Sequence, residues 1–509
     1  MALISSVLSW LMKKRMQQIE HFMKYPHEVQ QEWLKKLVSA GSRTAYGKEF
    51  GFGSIRTQDD FRNKVPVNDY NSLKPYIDRT MQGEQKVLWN TDIKWFAKSS
   101  GTTSDKSKFI PVSSESLEEC HFKGGKDMVA IYCYNNPDTA IFDGKGLVMG
   151  GSHKITEISN DQYYVGDLSA IIIENLPFWA EFIRIPKKSL ALLDEWEEKI
   201  EKMARAAIPH NVTNLSGVPS WNLLLLKRVL EITGEKDITA VWPNLEVFFH
   251  GGVNFAPYRE QFQHVIPSSK MNYLENYNAS EGYFGIQDRP DADDMLLMLD
   301  YGVYYEFIPM EELDKPHPKA ISIEEVETDT NYALLISTNA GLWRYLIGDT
   351  IKFTSTNPYR IKITGRTKNF INAVGEEVIV DNAENAIAAA CKETGAIVSE
   401  YTAAPVYFSD NENAAHEWLI EFEQQPADLQ QFTGLLDKRL QALNSDYEAK
   451  RYHGMVLREP LVKAVPEGTF YQWMKKRGKL GGQNKVPRLS NDRKYIDDIH
   501  QMLKKQNNS

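Results

Sequence analysis

Apolar positions recur along this chain with two alternating periods. Spacing of 3.6 residues predicts helices over 30–38, 190–206, 221–232, 258–265 and 429–443. Short β-branched and aromatic runs predict strands over 146–149, 245–249, 332–337, 418–422 and 455–457. Strands and helices that alternate in this way build an α/β body of mixed sheets in several layers. Beyond the polar knot Arg366 to Asn369 the pattern shifts to a smaller α+β unit. Two domains are therefore expected, a large one over 1–366 and a small one over 367–509.

Local punctuation refines these elements. Gly217-Val-Pro-Ser220 predicts a turn with Ser220 capping the next helix, and Asn339-Ala-Gly341 predicts a hairpin. Gly348-Asp349 reads as a turn joining two strands. Asp381 and Glu384 stand at capping-box spacing before an alanine-rich helix that ends near Gly395. The apolar stretch over 2–12 is followed, not preceded, by Lys13, Lys14 and Arg15, the wrong polarity for a signal peptide. Too short to span a bilayer, it reads as an amphipathic helix docked on the body, so no membrane partner is expected.

Composition narrows the function classes. With 509 residues and 42% hydrophobic content, the chain exceeds what one core supports. Its 59 basic and 68 acidic residues leave a net charge of -9, and no global field draws nucleic acid. The basic run from Lys475 to Lys494 is read as a solvated face. Cys120, Cys133 and Cys391 lack metal-ligand spacing and fit reduced thiols in a cytoplasmic protein. Small molecules are the expected partners, and the sequence leaves oligomeric state open, a monomer included.

Four segments carry candidate chemistry. In Lys98-Ser-Ser-Gly-Thr-Thr-Ser-Asp-Lys-Ser-Lys108, Gly101 frees the backbone, Ser99, Ser100, Thr102 and Thr103 supply hydroxyls, and Lys108 supplies a counter-charge. That composition suits a polyphosphate, with an ordinary solvated loop as the competing reading. It is not a Walker loop, because Lys108 runs into Phe-Ile-Pro-Val and the next helix begins only around Ser114. The second segment joins a strand ending at Gly251 and Gly252, where a flat ring can lie on bare backbone, to Tyr277-Asn-Ala-Ser280-Glu281. Glu281 is the metal candidate there, since Mg²⁺ needs only one or two protein carboxylates beside phosphate oxygens.

The third segment, Gly341-Leu-Trp-Arg-Tyr-Leu-Ile-Gly-Asp349, exposes a carboxylate suited to accept from both ribose hydroxyls. The fourth, Gly365-Arg366-Thr-Lys368-Asn369, is a candidate hinge. An organic acid would lie against the helix after Ser114, the Met149-Gly150 turn and the loop at Val218. No histidine stands out as a base for an amine, and His121, His153 and His453 read as structural or surface residues.

In this order the four segments resemble the adenylate-forming superfamily of acyl-CoA synthetases, adenylation domains and luciferases. Together with Gly481-Gly-Gln-Asn-Lys485-Val-Pro-Arg488, they are most similar to the Gretchen Hagen family of auxin-responsive acyl-acid amido synthetases. That resemblance implies MgATP-dependent adenylation of a small carboxylic acid, then amide formation with an amino acid, by a large N-terminal domain and a small mobile C-terminal one. By position it implies Ser99 to Thr103 and Lys108 at the phosphates, Gly251, Gly252 and Tyr277 around the adenine, Ser280 among the cofactor-binding residues, Glu281 on Mg²⁺ and Asp349 on the ribose. It further implies Arg366 and Lys368 at the nucleotide-contacting hinge and Lys485 at the reacting phosphate. Asp105, Leu346 and Asn484 depart from the family's glycine, arginine and aromatic residues. Transfer to a thiol such as coenzyme A, or a nucleotide-binding regulator without turnover, are the alternative functions.

Overall fold

An eleven-stranded sheet, antiparallel on one side and parallel on the other, carries the fold. In sheet order the strands are Val303–Pro309, Asn331–Thr338, Tyr345–Thr356, Tyr359–Arg366, Met295–Leu297, Gly282–Ile286, Asn272–Ala279, Val247–Gly251, Val212–Gly217, Lys145–Val148 and Arg184–Ile185. Pairing is antiparallel from the first to Asn272–Ala279 and parallel from there to the other edge. Val247–Gly251 is buried along its whole length, the pattern of a strand covered by helices on both sides.

The structure, a computed structural model, describes the chain apart from residues 1, 100–107, 151–155, 159–162, 178–179, 194–195, 253–254, 256–257, 314, 368–369, 409–412, 453–455, 478–485 and 508–509. The described residues divide into two compact units. The larger is drawn from Met1–Ser99, Lys108–Phe255 and Gln261–Thr367, and the smaller chiefly from Lys368–Ser509.

Side-chain contacts show that the sheet of the larger unit is curled. Phe284 and Tyr305 lie on strands five steps apart, which at about 4.8 Å per step would separate them by about 24 Å on a flat sheet. Their ring centroids are 6.2 Å apart. The antiparallel half therefore wraps around its own core, and the helix Pro26–Gly41 covers it. Gln30 of that helix donates to the Leu299 and Val303 carbonyls and accepts from the Tyr305 amide, so a buried polar side chain satisfies a strand end. The N-terminal helix Ala2–Lys24 is pinned by Arg15, which pairs with Asp127 at 2.7 Å and Asp300 at 2.6 Å. A smaller sheet pairs Trp95–Ser99 with Lys108–Val112 and with Tyr163–Gly166.

Several sequence-based boundaries move. The 190–206 pattern becomes two helices, Lys188–Ala191 and Trp196–Ala207. The next helix begins at Pro219, not after Ser220, because proline's fixed φ suits a first helical position and displaces the cap to Val218. Gly348-Asp349 is not a turn. Tyr345–Thr356 runs through it as one strand, and Gly348, at φ +99°, absorbs a bulge in which Leu334 alone of Asn331–Thr338 faces Ile347, Gly348 and Asp349 of this strand. Strand 455–457 is replaced by Leu461–Val465; Leu457 forms only an isolated bridge to Ala414, and Met455 lies outside the described residues.

In the smaller unit, Ile397–Val406, Ala415–Gln424 and Leu461–Val465 form a sheet packed on helices that include Thr469–Lys476 and Lys494–Asn507. The loop after Phe370–Ile371 is held by Glu376, whose fully buried carboxylate accepts from the Ala373 amide at 2.6 Å, the Val374 amide at 2.7 Å and His416 Nε2 at 2.6 Å. Burial opposes its ionisation, yet these donors hold its pKa below the ordinary carboxylate value. A depressed carboxylate pKa adds stability above the unfolded-state value and loses it as pH falls through the folded-state value. Glu376→Gln should therefore flatten the acid limb of a urea-stability curve measured between pH 6 and pH 3. An acid limb as steep as that of the wild type would contradict this role for Glu376.

Candidate active site

Four of the five parallel strands deliver predicted residues to one edge. Lys145–Val148 leads into Met149 and Gly150, Val212–Gly217 into Val218, Val247–Gly251 into Gly252, and Asn272–Ala279 into Ser280 and Glu281. Carboxyl ends of parallel strands are where α/β sheets bind ligands, because the helices that follow leave a crevice there. The segments also touch one another. The Met149 amide donates to the Ser216 carbonyl at 3.0 Å, and a Cβ on Gly252 would stand 3.5 Å from Val218. Gly251 has no space for a side chain, since a Cβ would come within 2.6 Å of the Asn276 carbonyl oxygen.

Glu281 sits in the two-residue turn between Asn272–Ala279 and Gly282–Ile286 and is 9% exposed. Among the described residues, no three carboxylate, histidine or cysteine side chains gather as a metal cluster. A divalent ion here would rest on one protein carboxylate and ligand oxygens, which is how Mg²⁺ binds with nucleotides. Glu281 supplies the hard oxygen that this requires.

The curl brings the third segment to the same place. Tyr277 and Asp349 lie four strands apart, about 19 Å on a flat sheet, yet the Tyr277 hydroxyl donates directly to Asp349 Oδ2. Both side chains are buried, at 5% and 7% exposure. Asp349 faces Arg366 across the ladder, and the Thr367 amide donates to the Gly348 carbonyl at 2.7 Å. The ribose candidate and the first hinge residue are thus direct backbone neighbours.

A buried network fixes the Asp349 strand. Arg344, at φ +40°, places its guanidinium on Glu306 at 2.9 and 3.1 Å and donates to the Val65 carbonyl at 2.7 Å. Asn68 donates to the Trp343 carbonyl and the Tyr46 hydroxyl, and its carbonyl accepts from the Leu346 amide. Sequence reading did not single out Glu306, Asn68 or Arg344 individually. Their only signal was Arg344's place inside the quoted segment.

Ser99 and Lys108 face each other across the Trp95–Ser99/Lys108–Val112 ladder, and Lys108 is buried. Ser100, Gly101, Thr102, Thr103, Asp105, Lys368, Asn484 and Lys485 lie outside the described residues, as do His153 and His453. Leu346 is half-buried and packs beside Ile308 and Leu335. His121 is buried on a π turn over Leu117–His121, its pKa pushed down to about 4 by burial and its Nδ1 without a hydrogen-bond partner among the described residues. The imidazole is therefore neutral at physiological pH. Cys120 beside it contacts the Tyr283 backbone, and burial pushes its thiol up to about 12, so it is no nucleophile.

Comparison with known proteins places this architecture. Residues 15–271 match the model of the GH3 family N-terminal domain, 296–366 that of the GH3 family central domain, and 381–494 that of the GH3 family C-terminal domain. The chain is 24% identical to indole-3-acetic acid-amido synthetase GH3.3 of Arabidopsis thaliana, over 93% of this chain and 91% of the relative. It is 23% identical to jasmonoyl–L-amino acid synthetase JAR4 of Nicotiana attenuata, over 93% and 92%. Its fold resembles AtGH3.15 acyl acid amido synthetase in complex with 2,4-DB, with TM-score 0.63 at 16% identity over 96% of each chain. It also resembles 2-hydroxyisobutyryl-CoA ligase, with TM-score 0.57 at 13% identity over 95% and 93%.

Removing Glu306 leaves Arg344 as an uncompensated buried charge. Glu306→Ala should cost about 3–5 kcal/mol of unfolding free energy, read as a lower urea midpoint. A change under about 1 kcal/mol would show that the pair does not hold this strand.

Proposed function

The chain belongs to the GH3 family, and from that premise we propose that it is an ATP- and Mg²⁺-dependent ligase joining a small carboxylic acid to an amino acid through an amide bond. The observation that carries this reading is that Gly251 pairs beside Tyr277 at the carboxyl ends of neighbouring strands, with Glu281 in the turn that follows, and that the Tyr277 hydroxyl reaches Asp349 across the curled sheet. A free carboxylate does not accept an amine at neutral pH because oxide is too poor a leaving group. In the first step the acid's oxygen attacks the α-phosphorus of ATP and pyrophosphate leaves, giving an acyl-adenylate. In the second the amino-acid nitrogen attacks the acyl carbon, the nitrogen loses its proton, and AMP departs.

For the first step the protein must align the acid with phosphorus and balance charge on the phosphoryl oxygens. The Ser99–Thr103 hydroxyls with Lys108 would cradle the phosphates, and Asp349 would accept from the ribose hydroxyls. Gly251 and Gly252 would leave bare backbone for the adenine, with Ser280 at its edge, and Met149, Gly150 and Val218 would line the acid. Mg²⁺ held by Glu281 would supply charge neutralisation at the phosphates. Lys485 would reach the reacting phosphate, and Arg366 with Lys368 would form the hinge between an adenylation domain over 1–366 and a mobile domain over 367–509. His121, neutral and buried, is too weak a base to be assigned the amine proton.

Among the described residues no helix is long and apolar enough to cross a membrane, and three unpaired cysteines support a cytoplasmic setting. Pyrophosphate release should depend on one member of a carboxylic-acid panel. Mass spectrometry should then find an amide with an amino acid, and a coenzyme A thioester instead would contradict the acceptor assigned here. Lys485→Ala should slow acid-dependent pyrophosphate release by about 10²–10³. An unchanged rate would remove Lys485 from the first step.

A further inference from the structure

His121, Gly125, Met128 and Tyr132 stand four, three and four residues apart, and so share one face of the helix Phe122–Asn135 and the turn before it. Contacts show where that face looks. Tyr132 packs edge-on against Phe249 at 5.7 Å, and its hydroxyl accepts from Asn272 Nδ2 at 3.3 Å. One turn earlier, Met128 Sδ accepts from Asn276 Nδ2 at 3.4 Å. The face thus follows the strand Asn272–Ala279 in reverse, from its start toward its carboxyl end. At Gly125 the contact stops, since a Cβ there would meet no atom within 4 Å. Helix and strand ends therefore leave a gap over Gly125, with Met128 and Asn276 on one side and His121 on the other.

His121 gives this gap its chemical character. The residue is 5% exposed, and Nδ1 has no hydrogen-bond partner among the described residues. A buried polar atom in that state carries a cost that a ligand's hydrogen bond would offset. A neutral imidazole has one donor and one acceptor nitrogen, and a hydroxyl can answer either, because it both donates and accepts.

We propose that His121 is a specificity-determining residue of the acid pocket, selecting a hydroxyl-substituted carboxylic acid over one whose side group is wholly apolar. This inference rests on the ligase reading above and names the class of acid that the ligase takes. The acid lies in the gap over Gly125, between the helix and the carboxyl ends of the strands, with its hydroxyl on the His121 ring. A methyl group in place of that hydroxyl seals Nδ1 from water and gives it nothing to bond.

The test is steady-state pyrophosphate release by the full chain over carboxylic acids in matched pairs, each a hydroxyl compound and its methyl counterpart. For the best substrate, kcat/KM should exceed that of its methyl counterpart by about a hundredfold or more. In His121→Leu that ratio should fall at least about tenfold, with the methyl acid as good a substrate as before. An unchanged ratio in this variant, or an equal loss for both acids, overturns the proposal, because a purely structural histidine does not distinguish hydroxyl from methyl. A wild type that works best with an apolar acid overturns it too and leaves the ligase reading standing, whereas no acid-dependent release with any acid sinks both. Should His121→Leu fold poorly, Gly125→Leu fills the gap and leaves the histidine in place. It should raise KM for the preferred acid about tenfold or more at unchanged KM for ATP, and a wild-type KM for the acid overturns the proposal.

Discussion

The curl of the antiparallel half-sheet is the constraint on which the candidate site depends. Without it the turn carrying Glu281 and the strand carrying Asp349 would stand on opposite sides of several strands, too far apart to share a small ligand. Phe284 and Tyr305 fill the inside of the curve, and the Tyr277–Asp349 hydrogen bond closes its mouth. The apolar core thus sets a distance that polar chemistry then uses. Bulges at Gly348 and near Tyr283 let short strands bend where an unbroken ladder would stay straighter.

Within each unit, one buried charge stands where backbone geometry is irregular. Arg344 adopts a positive φ and is held by Glu306 and two backbone carbonyls. In the smaller unit, Glu376 does the same for the loop containing Gly375, whose φ is +97°. In both, a charged side chain satisfies groups that a regular strand or helix would have paired. Each is fully partnered, which is the condition under which a buried charge specifies structure and does not disrupt it.

Much of this was legible in the chain. Parallel strands ending in glycines at 251 and 252 are visible because continuous apolar runs mark buried strands and paired glycines mark their ends. The Ser280–Glu281 turn and the Asn339–Gly341 hairpin appeared where local composition placed them, whereas Tyr277, expected in the same loop, lies in the strand Asn272–Ala279. Family membership was likewise readable from short segments in a fixed order. What local reading missed depends on long-range register. Gly348 has the composition of a turn and is a bulge, because its neighbours on Asn331–Thr338 continue the ladder past it. Tyr277 and Asp349 are 72 residues apart in sequence, and no periodicity reports that they meet. Glu306 lies in an apolar strand, where the partners Arg344 and Arg62 explain a carboxylate.

The central claim is that the curled sheet makes one nucleotide site from Tyr277, the turn carrying Glu281 and the Asp349 strand. Hydrogen–deuterium exchange of the full chain, with and without a non-hydrolysable MgATP analogue, addresses it most directly. The account predicts that amides over 276–283 and 345–350 gain protection together and at the same analogue concentration. Protection of one segment with the other unchanged, or of neither at saturating analogue, would contradict it.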